Sequence, residues 1–189
     1  MDIAEFAEFT VGVFLVPKGQ RLPLHDHPGM TVMSKVLYGT LAITSFDKRD
    51  YSRTVQAQDY RIPIETVIRS VRRPVTCQQP CEILRPTSDG NLHEFFAAED
   101  VAIMDVLTPP YNFGHGRPCT YFRVAGLGSA QPESPGASGG EWPDVALGGA
   151  CRGDTAWLLA VPAPKGFLCQ ELPDLSVLTR DALNACLCS

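Results

Sequence analysis

The chain lacks any cluster of lysine and arginine: 16 basic residues are scattered among 21 acidic ones, for a net charge of -5. That leaves no electrostatic footprint for nucleic acid or an anionic membrane, so neither is expected as a partner. No apolar run approaches the length of a membrane span, and Met1-Asp-Ile-Ala-Glu-Phe-Ala-Glu places acids where a targeting segment needs basic residues. A cytoplasmic protein is expected, with the nucleus as a second compartment. No segment sustains a 3.6-residue apolar period, which argues against a helical fold. Nor do the cysteines form an even set: the seven (77, 81, 119, 151, 169, 186 and 188) occur without an export signal, so a disulfide framework is not expected. Cys77-x3-Cys81 has no second pair at ligand spacing to complete a zinc site. The last four residues, Cys186-Leu-Cys188-Ser189, fit a prenylation pattern, but no polybasic stretch precedes them, and a free thiol-bearing tail is expected.

What is present is a pattern of short apolar runs bounded by Gly, Pro, Asp or Asn. They fall at Phe9 to Val16, Thr31 to Tyr38, Leu41 to Phe46, Val67 to Val71, Cys81 to Leu84, Leu92 to Ala97, Val101 to Leu107, Thr120 to Val124 and Ala156 to Val161. Their length and β-branched content read as strands, so the chain is expected to be all-β, a barrel or jelly roll. Tyr38-Gly39-Thr40 predicts a tight hairpin between two of these runs. At 189 residues the prior is one domain spanning 1–189. The Gly/Ser/Pro-rich stretch within 128–153 cannot bury enough apolar surface to offset its ordering entropy, and is expected to be a disordered insertion loop within that domain.

Histidine is scarce, and three of the four residues are informatively placed. In a strand, residues two apart share a face, so His25 and His27 would aim two imidazoles at one point. Gly19 lies six residues before His25, and Gly39 twelve after His27. These are the glycine positions of the first cupin motif, G-x5-H-x-H-x4-E-x6-G, and Asn91-Leu-His93 supplies a downstream histidine. The resemblance selects the cupin double-stranded β-barrel. The motif's glutamate falls on Val32, which cannot bind metal, leaving His25, His27 and His93 as the expected metal ligands with further positions open.

Beyond this motif the chain resembles the thiol dioxygenase family that contains animal 2-aminoethanethiol (cysteamine) dioxygenase and the plant cysteine oxidases. The matching stretches are Pro23-Leu-His25-Asp-His27-Pro-Gly-Met, Asn91-Leu-His93, Met104-Asp105-Val-Leu-Thr-Pro-Pro-Tyr111 and Gly116-Arg-Pro-Cys119-Thr-Tyr121-Phe. The resemblance implies Fe(2+) held by the three histidines, O2 as co-substrate, and conversion of a thiol to its sulfinic acid without 2-oxoglutarate. The thiol would be cysteamine or the N-terminal cysteine of a peptide or protein, the latter linking the family to oxygen sensing through the N-degron pathway. It nominates Asp105 and Tyr111, which look out over the metal in relatives, and Cys119 with Tyr121, which some animal relatives join as a thioether. By alternation Asp105 shares a face with Val101, Ile103 and Leu107, so it is either a buried carboxylate with a partner or an outward-facing residue. After Tyr111 the sequence Asn112-Phe-Gly-His115-Gly departs from the family's acidic loop, and His115 there is expected to be solvated. A monomer is expected. The alternative is a non-enzymatic cupin that holds zinc or a small molecule, because fold alone does not imply catalysis.

Overall fold

The apolar runs build strands because their β-branched and aromatic side chains alternate between a buried and a more open face. A computed structural model describes residues 2–52, 62–132 and 147–163, with side chains from residue 6 onward. The Cys186 tail and the centre of the expected insertion lie outside the described residues. In chain order the strands are β1 (Asp2–Glu5), β2 (Thr10–Val16), β3 (Arg21–Asp26), β4 (Thr31–Tyr38), β5 (Thr40–Lys48), β6 (Ile64–Thr76), β7 (Glu82–Leu84), β8 (Leu92–Ala97), β9 (Val101–Thr108), β10 (Tyr121–Leu127) and β11 (Thr155–Val161). The described helical structure is a single 3-10 turn, Phe113–His115. Among the described residues no helix is long and apolar enough to cross a membrane.

Two sheets result. One has the order β1-β2-β9-β4-β7, and the other closes on itself as β10-β11-β6-β5-β8-β3. The all-β cupin barrel expected from the sequence is therefore the architecture observed. One connection differs from expectation: β4 pairs with β7 and β9, whereas β5 pairs with β6 and β8. The turn at Gly39 carries the chain from one sheet to the other instead of closing a hairpin. Its geometry requires glycine, since φ is +77° and a Cβ would run into the Asp100 carbonyl oxygen. Alternation alone could not tell a hairpin from a crossover, because both need a tight turn between two apolar strands.

Between the sheets, Val16, Val36, Leu41, Ile43, Phe95, Ala97, Val101 and Ile103 form one buried cluster. The opposite face of the closed sheet buries a second, with Leu24, Phe46, Ile68, Leu92, Phe122 and Leu158. Each large side chain so buried contributes about 1.5–3 kcal/mol relative to exposure. Leu147 and Ala150, within the stretch expected to be a disordered loop, pack into this second cluster. The Trp157 indole also donates to the Gly128 carbonyl at 2.9 Å. Both ends of that stretch are thus tied to the barrel, because Leu147 supplies apolar surface that the overall composition concealed.

A Gly39→Ala substitution is expected to lower the unfolding free energy by at least about 2 kcal/mol, combining left-handed strain with backbone overlap. Gly128→Ala, also at positive φ but with open space around it, should cost only about 1 kcal/mol. Urea unfolding of the two variants tests the comparison, and equal losses would remove the close approach at Gly39.

Candidate metal centre

An irregularity in β3 aims the histidines. Against β8, Leu22 pairs with Phe95 and His25 with His93, with a register shift between them. Phe95 and His93 are two apart and share a face, but Leu22 and His25 are three apart. The extra residue puts both on the inner face. A bulge falls naturally at Pro23, which has no N–H to give the ladder. The Pro23 carbonyl, freed from the ladder, accepts the Nδ1–H of His25 at 2.8 Å.

The other two rings are oriented by the same device. The Tyr111 hydroxyl lies 2.7 Å from the Asp26 carbonyl and 2.8 Å from His27 Nδ1. A carbonyl only accepts, so the single hydroxyl proton goes to Asp26 and the tyrosine oxygen accepts from His27 Nδ1–H. His93 is hydrogen-bonded to the Gly90 backbone and stacks on Phe95 at 4.4 Å between ring centroids. Gly90 is required here as well: φ is +83° and a Cβ would lie 2.9 Å from Ser45.

With their outer nitrogens engaged, the rings turn the remaining ones inward. The ligand atoms of His25, His27 and His93 all lie within 4.8 Å of one another. His27 Nε2 faces His93 Nε2 at 3.3 Å. Two lone pairs so placed repel unless a cation lies between them, and two nitrogens each about 2.1 Å from one ion are separated by about 3.0–3.4 Å at angles near 90–110°. The donor set therefore fits a divalent metal. Burial lowers the pKa of His25 and, with the neighbouring imidazoles, holds those of His27 and His93 well below the ordinary value. All three rings are neutral, the state that binds metal. Val32, at the motif's glutamate position, is fully buried with Met30, Leu84 and Leu107 and brings no fourth ligand.

The remaining nominated residues differ in depth and in what they touch. Asp105 is on the inward face of β9 with Val101, Ile103 and Leu107, 5% exposed. Burial pushes its carboxyl up to about 6, against a hydrogen bond from its cross-strand neighbour Ser34. Its Oδ1 is a buried polar atom with no partner among the described residues. Ser34 also lines, with His93, Phe95, Glu82 and Arg73, a small cavity between the sheets. Tyr121 pairs directly with His25 across the β3–β10 seam, their rings 6.4 Å apart. Burial, followed by the neighbouring Cys119 thiol, which is hydrogen-bonded to it, and Asp26, raises the Tyr111 pKa well above its usual value. His115 is exposed, as expected.

Sequence reasoning assigned no role to Asn91, although it lies inside a matched motif. Its side-chain amide donates to the His27 carbonyl at 2.9 Å and to Arg85, and its oxygen accepts from the His27 N–H, so it ties the end of β3 to the start of β8. Asp26 was equally in view, between two ligands. Ser34 and Lys48 carry no local signal, since their partners are remote in sequence.

A two-sheet β-barrel with His-x-His on one strand and a third imidazole opposed on its neighbour defines a cupin-type metal-binding protein. The chain belongs to the PCO_ADO family, whose model matches residues 1–175. It is 35% identical to 2-aminoethanethiol dioxygenase of Mus musculus over 187 residues, which cover 92% of this chain and 68% of that protein. The Homo sapiens protein of the same name is 35% identical, with 92% and 65% covered. Plant cysteine oxidase 1 of Arabidopsis thaliana is 40% identical over 117 residues, 61% of this chain and 38% of that protein. The chain thus spans about two thirds of the animal relatives' length. Among solved structures, a double-stranded β-helix protein of Klebsiella pneumoniae overlaps with a TM-score of 0.39 at 15% identity, over 57% of this chain and 73% of that one.

Two outcomes follow from the geometry. Tyr111→Phe removes the acceptor for His27 Nδ1–H, so metal affinity should fall by about 10- to 100-fold with the fold retained; unchanged affinity in a chelator competition would show that the ring is oriented by other contacts. For Asp105, the folded pKa of about 6 exceeds the ordinary 3.8. The folded state then binds the extra proton between these values, and this group's stability contribution falls as pH rises from about 4 to about 6. Relative to wild type, metal-free Asp105→Asn should gain on the order of 2–3 kcal/mol over that interval and then level off. A difference independent of pH in urea unfolding would mean that the Asp105 carboxyl has the same pKa folded and unfolded, and that its burial does not perturb it.

Proposed function

We propose that the chain is an iron(II)-dependent thiol dioxygenase that converts the thiol of an amine-bearing substrate to its sulfinic acid, with an N-terminal cysteine preferred over free cysteamine. The observation that carries the reading is the set of three neutral imidazoles without a carboxylate ligand, in a chain whose relatives are named for thiol and cysteine oxidation. His25, His27 and His93 would hold the metal. When bound, iron supplies a Lewis-acidic, redox-active centre with open positions, which lowers the thiol pKa and brings thiolate and dioxygen together. Both oxygen atoms pass to sulfur and no external reductant is consumed: RSH + O2 gives RSO2H.

The protein's own groups supply charge and position. Three neutral ligands leave the cation's charge uncompensated, so the site favours an anionic thiolate. Asp105, on the inner face of the opposing sheet, keeps an unpartnered carboxylate oxygen that can accept from the substrate's ammonium two carbons from sulfur. Above about pH 6 it is charged. Tyr111 acts by position, since its hydroxyl is already engaged by Asp26 and His27. Tyr121 lies next to His25 across the β3–β10 seam, and Cys119 lies against Tyr111.

Oxygen-electrode assays with iron-loaded protein, coupled to product mass, test this reading. A Cys-initiated peptide and cysteamine should each consume one O2 per thiol and gain two oxygen atoms, and the N-acetylated peptide should not react. His93→Ala should lose both metal and turnover, and because it also gives up the Phe95 stacking and the Gly90 bond, circular dichroism should confirm that the β-barrel is retained before the loss is read as loss of a ligand. Absence of both bound iron and thiol-dependent uptake in the wild type would instead favour a non-enzymatic cupin.

A further inference from the structure

On the reverse side of the strand that carries the metal histidines, Asp26 points away from both of them. Its Oδ2 accepts from Lys48 Nζ at 3.0 Å, and the two side chains are only 3% and 8% exposed. Its Oδ1 accepts from the Thr120 N–H at 3.1 Å, while its own N–H donates to the Thr120 carbonyl at 3.1 Å. Its carbonyl takes the Tyr111 hydroxyl proton at 2.7 Å. The residue between the two ligands is therefore held on every polar atom it has.

This arrangement is not explained by stability. Burying two charges costs several kcal/mol per ion before their attraction returns any of it, and apolar replacements of similar volume are often neutral or stabilising. Lys48 lies beside the Phe122 ring, 5.9 Å from its centroid, so an apolar side chain would suit the neighbourhood. The pair does control geometry at a weak point. β3 and β10 share a single registered pair, His25 with Tyr121, and the Asp26–Thr120 bonds lie next to it. The same residue supplies the acceptor that orients Tyr111, which orients His27.

We propose that Asp26 and Lys48 form a buried clamp that sets the β3–β10 seam and, through Tyr111, the aim of the His27 ring, making both of them positioning residues for the metal. Lys48 fixes the Asp26 side chain. The side chain fixes Thr120 and the seam. The Asp26 carbonyl then meets the Tyr111 hydroxyl at the distance that leaves the phenolic oxygen free to accept from His27 Nδ1–H.

The proposal rests on the metal-centre reading, and cobalt(II) titration of metal-free protein separates the two. Asp26→Asn and the double variant Asp26→Asn/Lys48→Met should bind cobalt about tenfold or more weakly than wild type and shift its d–d absorption bands. The double variant leaves no buried charge unpaired and should melt within about 4 °C of wild type. A wild-type affinity and spectrum in the double variant would overturn the clamp while leaving the metal centre standing. Failure of the wild type to bind cobalt would remove both. Imidazole 15N shifts of metal-free wild type give a test that needs no variant: His27 should carry its proton on Nδ1, and a proton on Nε2 would break the proposed chain at Tyr111.

Discussion

Three imidazoles can share one cation only if each is neutral and each presents the same nitrogen inward. The rest of the site is arranged around that constraint. Pro23, Tyr111 and the Gly90 backbone each engage the outer side of one ring, and burial keeps protons off the inner nitrogens. The 3.3 Å separation of His27 Nε2 and His93 Nε2 is unfavourable for two lone pairs alone and suitable for two ligands of one ion. Ligand orientation by hydrogen bonds to the remote nitrogen is a general means of holding a metal site before the metal arrives.

The barrel divides the work between its sheets. The closed sheet provides all three ligands from adjacent strands β3 and β8 and their extension. The five-stranded sheet provides Val32, which withholds a fourth ligand, and Asp105, which supplies charge without belonging to the metal-binding cluster. A carboxylate at position 32 would have neutralised part of the metal's charge. Keeping the negative charge on the opposite sheet suits the proposed substrate, whose thiolate would reach the metal and whose ammonium would meet Asp105.

Two buried aspartates show opposite solutions to the cost of an interior charge. Asp105 keeps one oxygen unpartnered and answers with a raised pKa, an arrangement that concentrates at functional sites. Asp26 is bonded to Lys48 and Thr120 throughout, an arrangement suited to fixing geometry. They are in different sheets, Asp26 bonded to Thr120 beside β10 and Asp105 opposite Ser34 of β4.

Much of this was legible in the residues. Length, bounding turn residues and β-branched content gave the runs that became β2, β4, β5, β8, β9 and β11 to within about two residues, and the spacing of Gly19, His25, His27 and Gly39 singled out two ligands. Position 32 said what was missing. Strand phase alone left Asp105 open between a buried and an outward face, because alternation fixes which residues share a face but not which face meets the other sheet. Only the tertiary structure decided that Gly39 crosses between sheets, that the Pro23 bulge turns His25 toward His93, and that Leu147 anchors a stretch whose composition suggested disorder. It alone brought Tyr111 to His27 and Lys48 to Asp26, contacts 84 and 22 residues apart. The division has a physical cause: periodicity and motif spacing are local properties of a chain, whereas register, bulge phase and the pairing of buried charges are set by strands that meet only when the barrel closes.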